Sequence, residues 1–168
     1  MFITLLLLLL SACSNSEDNQ EGSPSNSSAE SGMNKVDIQN FSLEPFSSGE
    51  TYFVVADMNW QGDTAAQLNS IGLIEEDGTP ISSEKGITAN FYIGDEHKKS
   101  GVYRRDEIGE YTKVNGAELE DRQTLIMEYT LSHVPKNSLN RIKLSYEVDG
   151  KSFSESYTWS TLKELETN

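Results

Sequence analysis

Arg141 to Trp159 reads RIKLSYEVDGKSFSESYTW, and this stretch decides the fold. Ile142, Leu144, Tyr146 and Val148 alternate with Lys143, Ser145 and Glu147, the period-two pattern of a strand with one buried face. Asp149-Gly150 follows, a pair suited to the left-handed backbone of a two-residue hairpin turn. Folding the chain back on that turn sets Tyr146 opposite Phe153 and Ile142 opposite Tyr157, two favourable cross-strand pairs. Leu144 then faces Glu155, the weaker match.

The same alternation recurs upstream. Thr51–Trp60 carries Tyr52, Val54, Ala56, Met58 and Trp60 on one face, while Phe53 and Val55 make the other face partly apolar, as in a central strand. Leu125, Met127, Tyr129 and Leu131 share a face opposite Thr124, Glu128, Thr130 and Ser132. Asn115-Gly116 and Asp77-Gly78 repeat the turn chemistry, so three hairpins are expected. Strands are expected near 35–43, 50–60, 69–76, 86–94, 101–105, 109–114, 119–132, 140–148 and 151–159. Helical periodicity is nearly absent. The fold class is therefore all-β, an antiparallel β-sandwich of immunoglobulin-like architecture spanning 34–162, without the Cys…Trp…Cys pattern of antibody domains. Residues 163–168 are expected to fray.

The amino-terminal region is different in kind. Six leucines, Leu5 to Leu10, lead into Ser11-Ala12-Cys13. An apolar run of roughly nine residues is about half of what a bilayer-spanning helix requires, and suits the core of a secretory signal. Leu10-Ser11-Ala12-Cys13 resembles the bacterial lipobox. That resemblance implies a signal peptide over 1–12, cleavage between Ala12 and Cys13, and a diacylglyceryl cysteine bearing fatty chains such as palmitate. The chain would then be a lipoprotein, lipid-anchored on the extracytoplasmic side of a bacterial cell membrane. No Lys or Arg precedes the apolar run, a departure that an upstream start codon or the free amino terminus would have to make good. Cys13 is the chain's one cysteine, so no internal disulfide can form, and acylation would account for a lone thiol in an exported protein.

Ser14–Gly32, SNSEDNQEGSPSNSSAESG, has no aromatic, no branched aliphatic and no cation. It cannot bury enough apolar surface to offset its ordering entropy, so 13–33 is expected to be a disordered tether. Its span would be roughly 25 Å on average and about 65 Å when extended.

The formal charge is −14. Removing the tether's four acids from the 27 leaves 23 against 13 cations, so the remainder carries −10. Such a domain is repelled by nucleic acid and by anionic lipid headgroups, so both are poor general partners and no nucleic-acid partner is expected. His97, Lys98, Lys99, Arg104 and Arg105 form a local basic stretch, read as a hairpin tip around Ser100-Gly101. It is a candidate contact for anionic headgroups, an envelope polyanion or an acidic partner protein, but the flanking acids Asp95, Glu96, Asp106 and Glu107 nearly cancel its charge and favour a plain solvated loop.

Candidate chemistry is sparse. Asp57, Asn59 and Gly62 match positions one, three and six of a calcium loop, with Asp63 next in line, but Leu68 stands where a bidentate Glu is required. Glu75-Glu76-Asp77 is a second acidic turn. His97 and His133 have no ligand-like spacing, so no metal or other cofactor is assigned. No Gly-x-Ser-x-Gly elbow or phosphate-binding glycine loop occurs, and no catalytic residue is assigned. Trp60 and Trp159 are read as core residues rather than a sugar-stacking platform. The expected function is non-enzymatic binding of an extracytoplasmic protein or envelope ligand. A calcium or ligand sensor is the alternative, and a cell-envelope enzyme a third reading.

Overall fold

A computed structural model describes residues 35–94, 98–136 and 141–168. Cys13, Ala12, the tether and His97 lie outside these. Among the described residues ten strands run β1 (Val36–Ile38), β2 (Thr51–Trp60), β3 (Ala66–Ile74), β4 (Ile87–Gly94), β5 (Gly101–Tyr103), β6 (Tyr111–Lys113), β7 (Ala117–Leu119), β8 (Gln123–Leu131), β9 (Arg141–Val148) and β10 (Lys151–Tyr157). They form two antiparallel sheets, one ordered β1-β2-β8-β4-β6 with β5 also on β2, the other β10-β9-β3-β7. β1-β2-β8-β4 occupy the places of strands A, B, E and D of an immunoglobulin domain, and β3-β9-β10 those of C, F and G. The fold is an immunoglobulin-like β-sandwich, as the alternation requires.

The core fills the space between the sheets. Val54, Ala56, Met58 and Trp60 of β2 and Leu125, Met127, Tyr129 and Leu131 of β8 face Leu68, Ile71 and Leu73 of β3 and Ile142, Leu144 and Tyr146 of β9. Trp60 meets Tyr146 edge-to-face across the sandwich, with ring centroids 5.2 Å apart. Both tryptophans are core residues. Trp159 is 1% exposed and donates its indole N–H to the Gln39 carbonyl at 3.0 Å.

The β9–β10 hairpin has the expected register, Tyr146 against Phe153 and Ile142 against Tyr157. Asp149 and Gly150 both take positive φ, 50° and 73°, so the right-handed twist of the flanking strands continues through the turn. Of the other two expected hairpins, the one at Asp77-Gly78 is cut short to a brief antiparallel reversal on β3, and the one at Asn115-Gly116 does not form because that turn carries the chain from one sheet to the other. Asn115-Gly116 joins β6 of the first sheet to β7 of the second. Asp77-Gly78 closes on a short bridge between Ile74 and Pro80, after which the chain crosses to β4. The expected strand 119–132 is two strands for the same reason. β7 pairs with β3 and β8 with β2 and β4, and Glu120–Arg122 makes the crossing. β3 begins at Ala66, earlier than expected. A bulge between Leu68 and Ser70 shifts its inward phase from Ala66 and Leu68 to Ile71 and Leu73, which hides the alternation from the sequence.

The carboxyl terminus is docked, not frayed. A 3-10 turn, Ser160–Glu164, buries Leu162, and Leu165 beyond it is also fully buried. Phe46 N–H donates to the Glu166 carbonyl and Asn168 N–H to the Phe46 carbonyl, both at 2.9 Å. Leu43 N–H donates to the Glu164 carboxylate at 2.7 Å. Residues 39–43, expected to belong to the first strand, are laced together with Phe46 to 159–168 instead.

Candidate functional site

The calcium-loop match dissolves on the strand. Asp57 and Asn59 are alternate residues of β2, an extended segment that cannot wrap around an ion, and Asp63 is exposed beyond the strand end. The Asp57 carboxylate already carries Arg122 at 3.3 Å. Gly62, which fits the loop's sixth position, is explained by packing. A β-carbon there would collide with the Trp60 ring, whose indole N–H donates to the Thr64 carbonyl at 2.9 Å. The turn is shaped around an indole.

At Glu75-Glu76-Asp77 the acids serve the turn itself. Asp77 accepts the Thr79 N–H at 2.9 Å and the Thr79 hydroxyl at 2.7 Å, and these bonds hold its carboxyl below the usual carboxylate range. Glu75 pairs with Lys85 at 3.4 Å. These residues line an open depression of about 370 Å³ with Thr79, Pro80 and Ser82. Among the described residues no group of three or more His, Cys, Asp or Glu converges as a metal site would require. His133 is exposed at the end of β8, with φ 53°, and its N–H donates to Ser48 Oγ at 3.3 Å.

The basic residues do not form a hairpin tip. β5 pairs with β2, and the segment continues as a strap over the outer face of the first sheet. The strap drops Ile108 onto Phe53, Val55 and Ile126, a second apolar cluster flanked by Tyr92, Tyr103 and Tyr111. This explains why β2 is apolar on both faces. Arg105 lies over the Tyr111 ring at 4.7 Å, and Lys98 over the Tyr103 ring at 4.2 Å. Lys98 also donates to the Glu107 carbonyl, and Arg104 reaches Glu50 at 3.8 Å. Lys99 is exposed. Three of the four cations thus have partners within the chain.

Two features escape the sequence reading. The first is a polar rim where the amino-terminal strand meets β10. Glu155, set opposite Leu144, accepts the Tyr146 hydroxyl with one carboxylate oxygen and the Lys35 N–H, at 3.2 Å, with the other. Burial first, and then the bond to Glu155, push the Tyr146 hydroxyl well above the ordinary tyrosine value. The Tyr157 hydroxyl is raised by burial and by the nearby charges of Asp37 and Glu155, and has no hydrogen-bond partner among the described residues. The Leu144–Glu155 mismatch is the one sequence signal pointing to this rim.

The second feature is the outer edge of β10. The edge strands β1, β5, β6 and β7 are three residues long, whereas β10 has seven and, among the described residues, leaves one side unpaired. Phe153 stacks on Tyr146, centroids 5.7 Å apart, yet remains 44% exposed.

No protein-family model matches the chain, and no curated protein sequence does either. Among solved structures, the chain is similar to the ASH/PapD-like domain of human CEP192 (PapD-like domain 7), at 12% identity and a TM-score of 0.33. The match covers 73% of this chain and 80% of that one.

Proposed function

We propose that the protein is a lipid-anchored extracytoplasmic lipoprotein whose β-sandwich is a non-enzymatic binding module for an envelope protein or ligand. The observation that carries this reading is Leu10-Ser11-Ala12-Cys13 directly behind an apolar run, with Cys13 the chain's single cysteine. Two acyl chains hold a protein at a membrane where one binds only marginally. The polar stretch 14–32 then serves as the spacer between anchor and domain.

Membrane fractionation with labelling by a palmitate analogue tests the anchor. The wild-type chain should be labelled, shortened and membrane-bound. Cys13→Ser should be unlabelled, and either uncleaved or released, with its β-sheet circular dichroism unchanged. A Cys13→Ser chain that is still processed and retained would overturn the anchor. Crosslinking in intact cells followed by pull-down of the wild-type chain then identifies the bound partner.

A further inference from the structure

We infer that the outer edge of β10 is a self-association surface, on which a second copy of this chain adds its own β10 in antiparallel register. This goes beyond the binding reading and does not depend on the lipid anchor.

In a two-residue hairpin the closing pair, here Val148 and Lys151, is hydrogen-bonded, and bonded and non-bonded pairs alternate from there. Ser152, Ser154 and Ser156 therefore direct their backbone N–H and C=O groups outward. The Ser156 carbonyl accepts from Arg141 at 3.3 Å, which leaves the stretch around Ser152 and Ser154 open. Edges are protected by proline, a bulge, lysines or an inward-pointing charge, and of these β10 carries only Lys151 and the inward-turned Glu155. β10 has no proline and no register shift against β9, and its charges are one Lys and one Glu. It is a neutral strip on a strongly acidic domain.

The sequence of the strip complements itself. An antiparallel pairing centred on Phe153 matches the outward groups, Ser152 of one copy bonding with Ser154 of the other. It also places Phe153 opposite Phe153 at a non-hydrogen-bonded position, where side chains approach most closely. Lys151 of each copy then faces Glu155 of the other, two opposite-charge pairs. A two-fold axis generates all of these contacts at once, as an isologous dimer requires. The paired edges would join the two four-stranded sheets into one of eight strands and cover the half-exposed Phe153.

The test uses the purified full chain. Phe153→Cys adds a thiol at the pairing centre, and oxidation should give a disulfide-linked dimer. Ser154→Cys, on the opposite face and out of register, should crosslink far less. The wild-type chain is the control. Light scattering of the purified chain in detergent should show a concentration-dependent dimer. Phe153→Asp should weaken that dimer about tenfold or more, by removing the stacked pair and setting like charges opposite each other. Ser154→Pro, which deletes an outward N–H, gives the same weakening should Phe153→Asp fail to fold. A chain that stays monomeric at the highest concentration, or a dimer indifferent to both variants, would overturn the proposal. So would a monomer whose β10 amides gain protection only when an extended peptide of another protein is added.

Discussion

Glu155 illustrates how one side chain reconciles a sandwich with its rim. Its place opposite Leu144 turns a carboxylate toward the interior, where it is tolerated because the Tyr146 hydroxyl and the Lys35 N–H both donate to it. Glu155→Gln removes the charge from these bonds and should cost about 1–2 kcal/mol, read as a lowered urea midpoint with an unchanged slope. Tyr157 presents the converse case. Its hydroxyl is buried with no partner among the described residues, so Tyr157→Phe relieves a desolvated group and should leave stability unchanged or raise it by up to about 1 kcal/mol. A clear loss of stability in that variant would mean that the hydroxyl has a partner after all.

At the scale of elements, the carboxyl-terminal strap does more for the fold than its sequence suggests. TLKELET, residues 161–167, has weak periodicity and reads as a tail. It is held because Trp159, Leu162 and Leu165 close the open end of the core, while its backbone bonds to Phe46 and Val134. Deleting 163–168 removes the buried Leu165 and several of those bonds. It should lower stability by about 2–5 kcal/mol, the range for losing a buried leucine, and thermal melting would show it. Gly86, just before β4, is fixed as firmly. Its φ is +77°, and a β-carbon there would collide with the Ser132 carbonyl, so Gly86→Ala should destabilise through both strain and crowding. Measured by denaturant unfolding, its effect should exceed that of Gly72→Ala, where space is open and φ is ordinary.

For the whole molecule, the pH dependence of stability follows from its buried tyrosines. Tyr129, Tyr146 and Tyr157 are all raised above the ordinary value of 10.0, chiefly by burial. Above pH 10 the unfolded chain ionises these phenols while the folded chain keeps them protonated, so the unfolded state binds fewer protons. Their stabilising contribution is complete below pH 10 and is lost as pH rises through the folded-state values. Urea midpoints measured from pH 8 to pH 12 should fall on the alkaline side, and Tyr129→Phe should shallow that fall. Asp77 acts in the opposite direction, contributing above its unfolded value of 3.8 and losing that contribution on acidification. Its full exposure keeps the contribution small.

Local chemistry alone determined the β9–β10 hairpin, both faces of β2 and the inward set of β8. Period two, β-branched and aromatic content and an Asp-Gly turn act over a few residues, and neighbours in sequence suffice to express them. The apolar run ending at Cys13 is legible for the same reason. Only the tertiary structure decided that Asn115-Gly116 crosses between sheets, that the chain leaves β3 for the other sheet soon after the Asp77-Gly78 turn, that 39–46 is laced to 159–168, and that Lys98, Arg104 and Arg105 find partners within the chain. A turn dipeptide fixes a reversal but not which sheet receives the next strand, since that depends on which core faces remain uncovered. A lone charge gives no sign of the ring or carboxylate it will meet. The open edge of β10 belongs to this second class, because a strand's edge exists only once its neighbours are known.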